Sequence, residues 1–289
     1  MQETELKLNC ADAAVRLCGY VPDGTDKPLL LVLPGGGYQI CAAAERSPVA
    51  HRFAELGYAA FALDYSVRGQ ENPHAVFPGP LLEVAEAVKT LRENAAALGA
   101  DRTRLYLFGS SAGAHLAGCF GNLWDDRGLF GGVADAETLR PTALVLLYGA
   151  TEFRQEDMML PSIYGHGAPF TDEELARWTV RSHLGPGTPP MILFHSAPDP
   201  TVPMRYSLDL FAALQAREIP SELHIFGCGE HAYGLGAGTP AEVWPELADR
   251  FLRELARAPE HFDRAAQRAA KARRKAARAR SAAEETADA

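Results

Sequence analysis

Five short runs in this chain are apolar at nearly every residue, and that continuity restricts the fold more than any other feature. They are Leu29–Leu33, Tyr58–Leu63, Leu105–Phe108, Ala143–Leu147 and Met191–Phe194. A strand with one solvated face alternates apolar and polar residues, so runs without alternation read as strands covered on both faces. Between them lie stretches with helical spacing. Pro80 to Asn94 carries Leu81, Leu82, Val84, Ala85, Val88 and Leu91 behind a proline start. Arg205–Arg217 and Val243–Leu255 read the same way, the second with Trp244, Leu247, Phe251 and Leu255 at intervals of three and four. A short strand, Glu222–Phe226, separates these last two helices. Strands alternating with amphipathic helices imply βαβ units, and so an α/β fold with a mostly parallel sheet and helices on both faces. The first 25 or so residues, with Val15, Leu17 and Tyr20, read as antiparallel edge strands. A chain of 289 residues with 47% hydrophobic content can form such a sheet as one undivided body.

The run Leu105–Phe108 leads directly into Gly109-Ser110-Ser111-Ala112-Gly113, and an Ala/Leu-rich stretch follows to Cys119. This is strand, tight turn and helix, with a serine at the centre of G-x-S-x-G. The turn lifts the serine Oγ clear of the sheet, and glycines two before and two after let strand and helix approach closely. As a bare pattern the motif also occurs in turns without chemistry; its placement here points to Ser111 as a nucleophile.

A serine nucleophile needs a base, a carboxylate to orient that base, and donors for the oxyanion. Each requirement has a candidate at the end of a strand. His195-Ser-Ala-Pro-Asp199-Pro-Thr-Val-Pro203 follows Met191–Phe194, which puts Asp199 on a loop at the carboxyl edge of the sheet. Gly227-Cys-Gly-Glu-His231-Ala-Tyr-Gly234 follows Glu222–Phe226, and its glycines suit a loop that carries a base, His231, over that edge. The run Pro34-Gly35-Gly36-Gly37-Tyr38 follows Leu29–Leu33 and lets backbone N–H groups face a developing negative charge. We read the oxyanion donors as the N–H groups of Ala112, Gly36 and Gly37, and expect Tyr38 and Cys41 to line the pocket. His115, one helical turn beyond Ser111, reads as a packing or hydrogen-bonding residue, and His195 as structural.

Taken together, Leu-Pro-Gly-Gly-Gly-Tyr38, Gly-Ser-Ser-Ala-Gly-Ala-His115-Leu-Ala, Asp199-x-x-Val-Pro203 and Glu-His231-Ala-Tyr-Gly resemble the α/β-hydrolases of the acetyl esterase/lipase group. The chain is similar in particular to small bacterial acetyl xylan esterases and feruloyl esterases, over roughly residues 15–257. The order Ser111, Asp199, His231 is the one α/β-hydrolases use. The resemblance implies an α/β-hydrolase fold, a two-step acyl-enzyme reaction on a small-molecule ester with a short acyl group, and no cofactor. In two places the chain departs from the pattern: proline precedes the glycine run where many lipases have histidine, and Ala232 follows His231 where glycine is usual. An amidase, formamidase or peptidase of the same fold would use the same residues, so ester against amide stays open at this level.

Residues 151–188 interrupt the alternation with Met158, Met159, Leu160, Tyr164, Phe170 and Trp178 among glycines and prolines, and with a capping-box start at Thr171-Asp-Glu-Glu174. Two readings stand: a surface excursion packed on its own apolar residues, or a small cap lining the acyl or leaving-group pocket. The hydrolase domain is expected to span 1–262. Beyond it, 263–289 is almost wholly Ala, Arg, Lys and Glu, with a net charge of +4 against −13 for the rest. An acidic body disfavours nucleic acid, so the tail reads as a solvated extension. No apolar segment approaches the roughly 20 residues of a membrane-spanning helix, which argues against a membrane partner. Five scattered cysteines without C-x-x-C argue against a disulfide framework or zinc knuckle. The histidines show no H-E-x-x-H pattern, so no metal is expected. With no signal-like start at Met1, the expected location is the cytoplasm.

Overall fold

All five apolar runs lie side by side in one sheet. A computed structural model of the protein describes residues 1–262. Its strands are β1 (Gln2–Leu6), β2 (Arg16–Val21), β3 (Lys27–Leu33), β4 (Ala59–Asp64), β5 (Ala100–Ser110), β6 (Ala143–Leu147), β7 (Met191–Ser196) and β8 (Ser221–Phe226). They stand in the order β1-β2-β4-β3-β5-β6-β7-β8. β2 is antiparallel to β1 and β4, and every other pairing is parallel. From β3 the chain moves outward to β4, then returns to place β5 on the other side of β3. The order therefore reverses between β3 and β5, and in open α/β sheets ligands bind outside the carboxyl ends of the strands at such a reversal. The glycine run leaves β3 there and Ser111 follows β5 there.

The helices include α1 (Ser47–Glu55), α2 (Gly79–Glu93) and α3 (Ala112–Leu123), then the short α4 (Arg127–Phe130) and α5 (Ala136–Leu139). After β6 come α6 (Leu160–Tyr164) and α7 (Asp172–Arg177), then α8 (Arg205–Ala216) and α9 (Trp244–Arg257). Alternation along each strand divides the core in two. Leu29, Leu31, Leu33, Leu105 and Leu107 join one apolar cluster with Leu81 and Val84 of α2, Leu116 of α3 and Leu210 of α8. On the other face Phe108 stacks on Trp244 at 5.2 Å and lies 6.5 Å from Phe53 of α1. Every residue of β6 is buried, as its unbroken apolar sequence requires.

Two local readings change. β5 begins five residues earlier than its apolar run, because Ala100–Arg104 pair or extend beyond the covered part of the sheet, with a register shift opposite Pro28/Leu29. In β2 the inward positions are Leu17 and Gly19, while Tyr20 turns to the opposite face and packs edge-on to His51 at 5.1 Å.

The chain divides into two compact units, Met1–Glu246 and Leu247–Ala289. In the second unit the described residues comprise the remainder of α9 and a single turn at Pro259–His261, with Phe251 and Phe262 edge-to-face at 5.4 Å. The basic stretch 263–289 lies outside the described residues.

Candidate active site

The turn between β5 and α3 stands on close backbone approach. A Cβ on Gly109 would lie 2.2 Å from the Gly113 carbonyl oxygen, and one on Gly113 would lie 2.0 Å from that of Leu33. Neither position has room for a side chain. Ser111 between them takes φ 51°, ψ −117°, a strained conformation for a non-glycine residue. Its N–H donates to the Leu147 carbonyl at 2.9 Å, which ties the turn to β6.

Residues far apart in sequence meet at its hydroxyl. Ser111 Oγ lies 2.8 Å from His231 Nε2, and His231 Nδ1 lies 2.8 Å from Asp199 Oδ2. The other carboxyl oxygen of Asp199 accepts from the N–H groups of Thr201 and Val202 at 2.8 and 2.9 Å. Burial raises the affinity of Asp199 for a proton. The hydrogen bonds from His195, His231, Val202 and Thr201 outweigh that and hold the carboxyl well below the usual carboxylate range. His195 is fully buried with Nε2 3.4 Å from Asp199 Oδ2, while its Nδ1 meets Ser207 Oγ at 2.7 Å. It braces the Asp199 loop, in line with a structural role.

The glycine loop is held at both ends and open in the middle. Gly35 N–H is engaged by Glu45 and Ser110, whereas among the described residues the N–H groups of Gly36, Gly37 and Ala112 have no recorded acceptor. Gly36 takes φ 124°, and a Cβ there would meet the Ile40 carbonyl at 2.1 Å. Gly37 takes φ 62°.

The structure corrects the expectation for Tyr38 and Cys41. Tyr38 also has positive φ, 57°, which turns its side chain away from the cavity into the core, where it is 1% exposed. Its hydroxyl meets His115 Nδ1 at 2.7 Å. Cys41 is half-buried with Sγ 3.5 Å from the Tyr65 carbonyl and does not line the cavity beside Ser111. His115 in turn places Nε2 2.7 Å from the Trp178 carbonyl, so one neutral imidazole accepts from Tyr38 and donates to Trp178. Its role is to bind the glycine loop, α3 and the insert together.

Burial lowers the pKa of His115 from 6.5 to about 4. The sign follows from linkage: as pH falls the unfolded chain takes up this proton first, so the contribution is intact above about 6.5 and declines until about 4. We expect His115 alone to remove about 2 kcal/mol of stability between pH 8 and pH 5. Urea unfolding of wild type and His115→Asn across that range measures it. The gap between the two should shrink by about that amount, and parallel curves would contradict the assignment.

Ser111 and His231 open onto a cavity of about 610 Å³. Gly36, Gly37 and Ile40 form one wall, and Thr201, Val202, Pro203 and Tyr206 another. Glu152, Glu156, Asp157, Met158 and Met159 come from the insert, which therefore lines the cavity with its first residues. Its later part packs down: Ile163, Phe170, Trp178 and Val180 are buried, and the capping box at Thr171–Glu174 forms as the sequence predicts. The first part of 151–188 thus lines the cavity, and the later part docks on the core of the body, where Trp178 meets Phe77 at 5.3 Å, instead of packing only on its own apolar residues. Glu45 also reaches this cavity, although no sequence motif marks it.

A strained serine turn after the central strand, opening at the point where strand order reverses in a mostly parallel sheet, defines the fold class as α/β-hydrolase. The chain belongs to the BD-FAE family, whose model matches residues 20–214. It is similar to an endo-1,4-beta-xylanase B of Butyrivibrio fibrisolvens, 28% identical over 74% of this chain and 35% of that protein. Esterase LipQ of Mycobacterium tuberculosis is 26% identical over 79% of this chain and 56% of its own length. The chain thus spans about a third to a little over half of these relatives. Among solved structures, an acetyl ester-xyloside bifunctional hydrolase from Caldicellulosiruptor lactoaceticus aligns with TM-score 0.74 and 29% identity, covering 84% of this chain and 88% of that one.

Proposed function

We propose that the protein is a serine hydrolase of short-chain carboxylic esters, acetyl esters first among them, including those on carbohydrates. The observation that carries the reading is the continuous contact Ser111 Oγ to His231 Nε2 to Asp199, at the wall of the cavity. The esterases among its relatives, and the acetyl ester-xyloside hydrolase among its structural neighbours, support the ester and acetyl parts of it.

In this reading His231 Nε2 takes the hydroxyl proton as Ser111 Oγ bonds to the ester carbonyl carbon. The carbonyl oxygen becomes an oxyanion facing the N–H groups of Gly36, Gly37 and Ala112. Collapse breaks the bond to the alcohol oxygen, which leaves with the proton from His231. A water then gives its proton to His231 and attacks the acyl carbon, releasing the acid and restoring Ser111. Asp199 keeps a proton on Nδ1 throughout, so that Nε2 accepts the proton of Ser111 and then of water, and returns it to the alcohol oxygen and then to Ser111 Oγ.

Hydrolysis of p-nitrophenyl acetate, butyrate and octanoate tests the acyl preference. We expect kcat/KM to fall with chain length, and acetylated sugars to be turned over. A rate that rises to octanoate would contradict the short-acyl reading. Turnover of anilides or formamides but not esters would replace it with amide hydrolysis on the same residues.

A further inference from the structure

One carboxyl group beside the nucleophile belongs to no part of the triad. Glu45 ends the short turn Ala43–Glu45, between the glycine loop and α1, and is 2% exposed. Its recorded hydrogen-bond partners are all neutral. Oε2 accepts from Gly35 N–H and from Ser110 Oγ, both at 2.8 Å, and Oε1 accepts from the Tyr148 hydroxyl at 2.5 Å. Burying a carboxyl group this deeply is unfavourable unless its oxygens are satisfied. Here three separate segments supply the donors.

Each partner belongs to a different piece of the site. Gly35 opens the oxyanion loop after β3. Ser110 ends β5, immediately before the nucleophile. Tyr148 follows β6 in a strained conformation, φ 37°, and its hydroxyl accepts from Gly234 N–H at 3.2 Å in the loop that carries His231. The Tyr148 ring also meets the His231 imidazole edge-on at 5.0 Å. Burial, and then the neighbouring Glu45, push the Tyr148 phenol well above its ordinary pKa, which keeps it a donor to Glu45. The carboxyl group also occupies the space beside the loop: a Cβ on Gly35 would lie 2.4 Å from Glu45 Oε2 and 2.9 Å from Ser111 Cβ.

We propose that Glu45 is a positioning residue for the serine-hydrolase reaction, locking the oxyanion loop to the nucleophile turn and, through Tyr148, to the His231 loop. The proposal rests on the function given above. Oxyanion donors act because they are fixed before charge develops, and Gly36 and Gly37 stay fixed only if Gly35 does. Glutamine keeps the shape of Glu45 but offers one acceptor oxygen, so either Tyr148 or the Gly35–Ser110 pair loses its acceptor.

Glu45→Gln should lower kcat for p-nitrophenyl acetate about 10- to 100-fold with KM within about 3-fold, the pattern of an interaction made in the transition state. The rate at which a fluorophosphonate labels Ser111, followed by mass spectrometry, should fall in parallel, since that reaction also places negative charge on an oxygen in the loop. Tyr148→Phe should slow both, and adding it to Glu45→Gln should cost less than the product of the two single losses. Unchanged kcat and labelling in Glu45→Gln would overturn the assignment, as would a loss confined to KM or to thermal stability. A wild-type protein that labels at Ser111 but hydrolyses no ester would remove the esterase reading alone, with Glu45 still judged on the labelling rate.

Discussion

Ser111→Ala should lower kcat/KM for p-nitrophenyl acetate by at least about 10³-fold, with the folded state intact. The expectation rests on position. Ser111 Oγ is the one nucleophile within hydrogen-bond reach of His231 Nε2 among the described residues. Removing the oxygen leaves the strained turn in place, because φ 51° at this position is imposed by the packing of Gly109 and Gly113. Residual activity over water would come from binding and from the oxyanion donors. Circular dichroism separates chemistry from folding. A folded Ser111→Ala protein retaining near wild-type turnover would remove the nucleophile assignment.

Asp199→Asn should lower turnover by a comparable amount, about 10⁴-fold where the carboxylate only orients the base. Asparagine can still accept from Thr201 and Val202 N–H through its carbonyl oxygen, so the loop keeps its shape. Its amide nitrogen would instead face His231 Nδ1. An N–H there makes Nδ1 the acceptor and moves the imidazole proton to Nε2, toward Ser111 Oγ, where a base is needed. The hydrogen bonds that keep Asp199 ionised across the acid range make the loss a matter of tautomer and of imidazolium stabilisation. Steady-state kinetics and thermal unfolding of the variant measure the two effects apart. Unchanged turnover would move the orienting role to another carboxylate.

The sequence exposed what is local to a strand and its following loop. Ser111 and Asp199 each follow an apolar run by a few residues, His231 follows the short strand Glu222–Phe226, and parallel strands deliver such loops to one edge. The insert was legible as an interruption, but its division into a cavity wall and a packed half depends on where Ile163 and Trp178 dock. The position of Tyr38 is not legible in composition, because a positive φ redirects its side chain without leaving a mark there. Glu45 and Tyr148 were invisible for a different reason. Their meaning lies in hydrogen bonds between residues 10 to 103 positions apart, which no spacing rule records. The polar half of β5 carries no apolar signal, because strand pairing continues beyond the apolar cover.

In the proposed reaction an acyl group passes through Ser111. Acid quenching during turnover of p-nitrophenyl acetate, followed by mass mapping, tests it most directly, with fluorophosphonate labelling as the parallel trap if the acyl-enzyme is short-lived. The acetyl or phosphonyl adduct is expected on the peptide containing Ser111, and none in Ser111→Ala. An adduct on another residue, or ester turnover with Ser111 unmodified by both reagents, would contradict it.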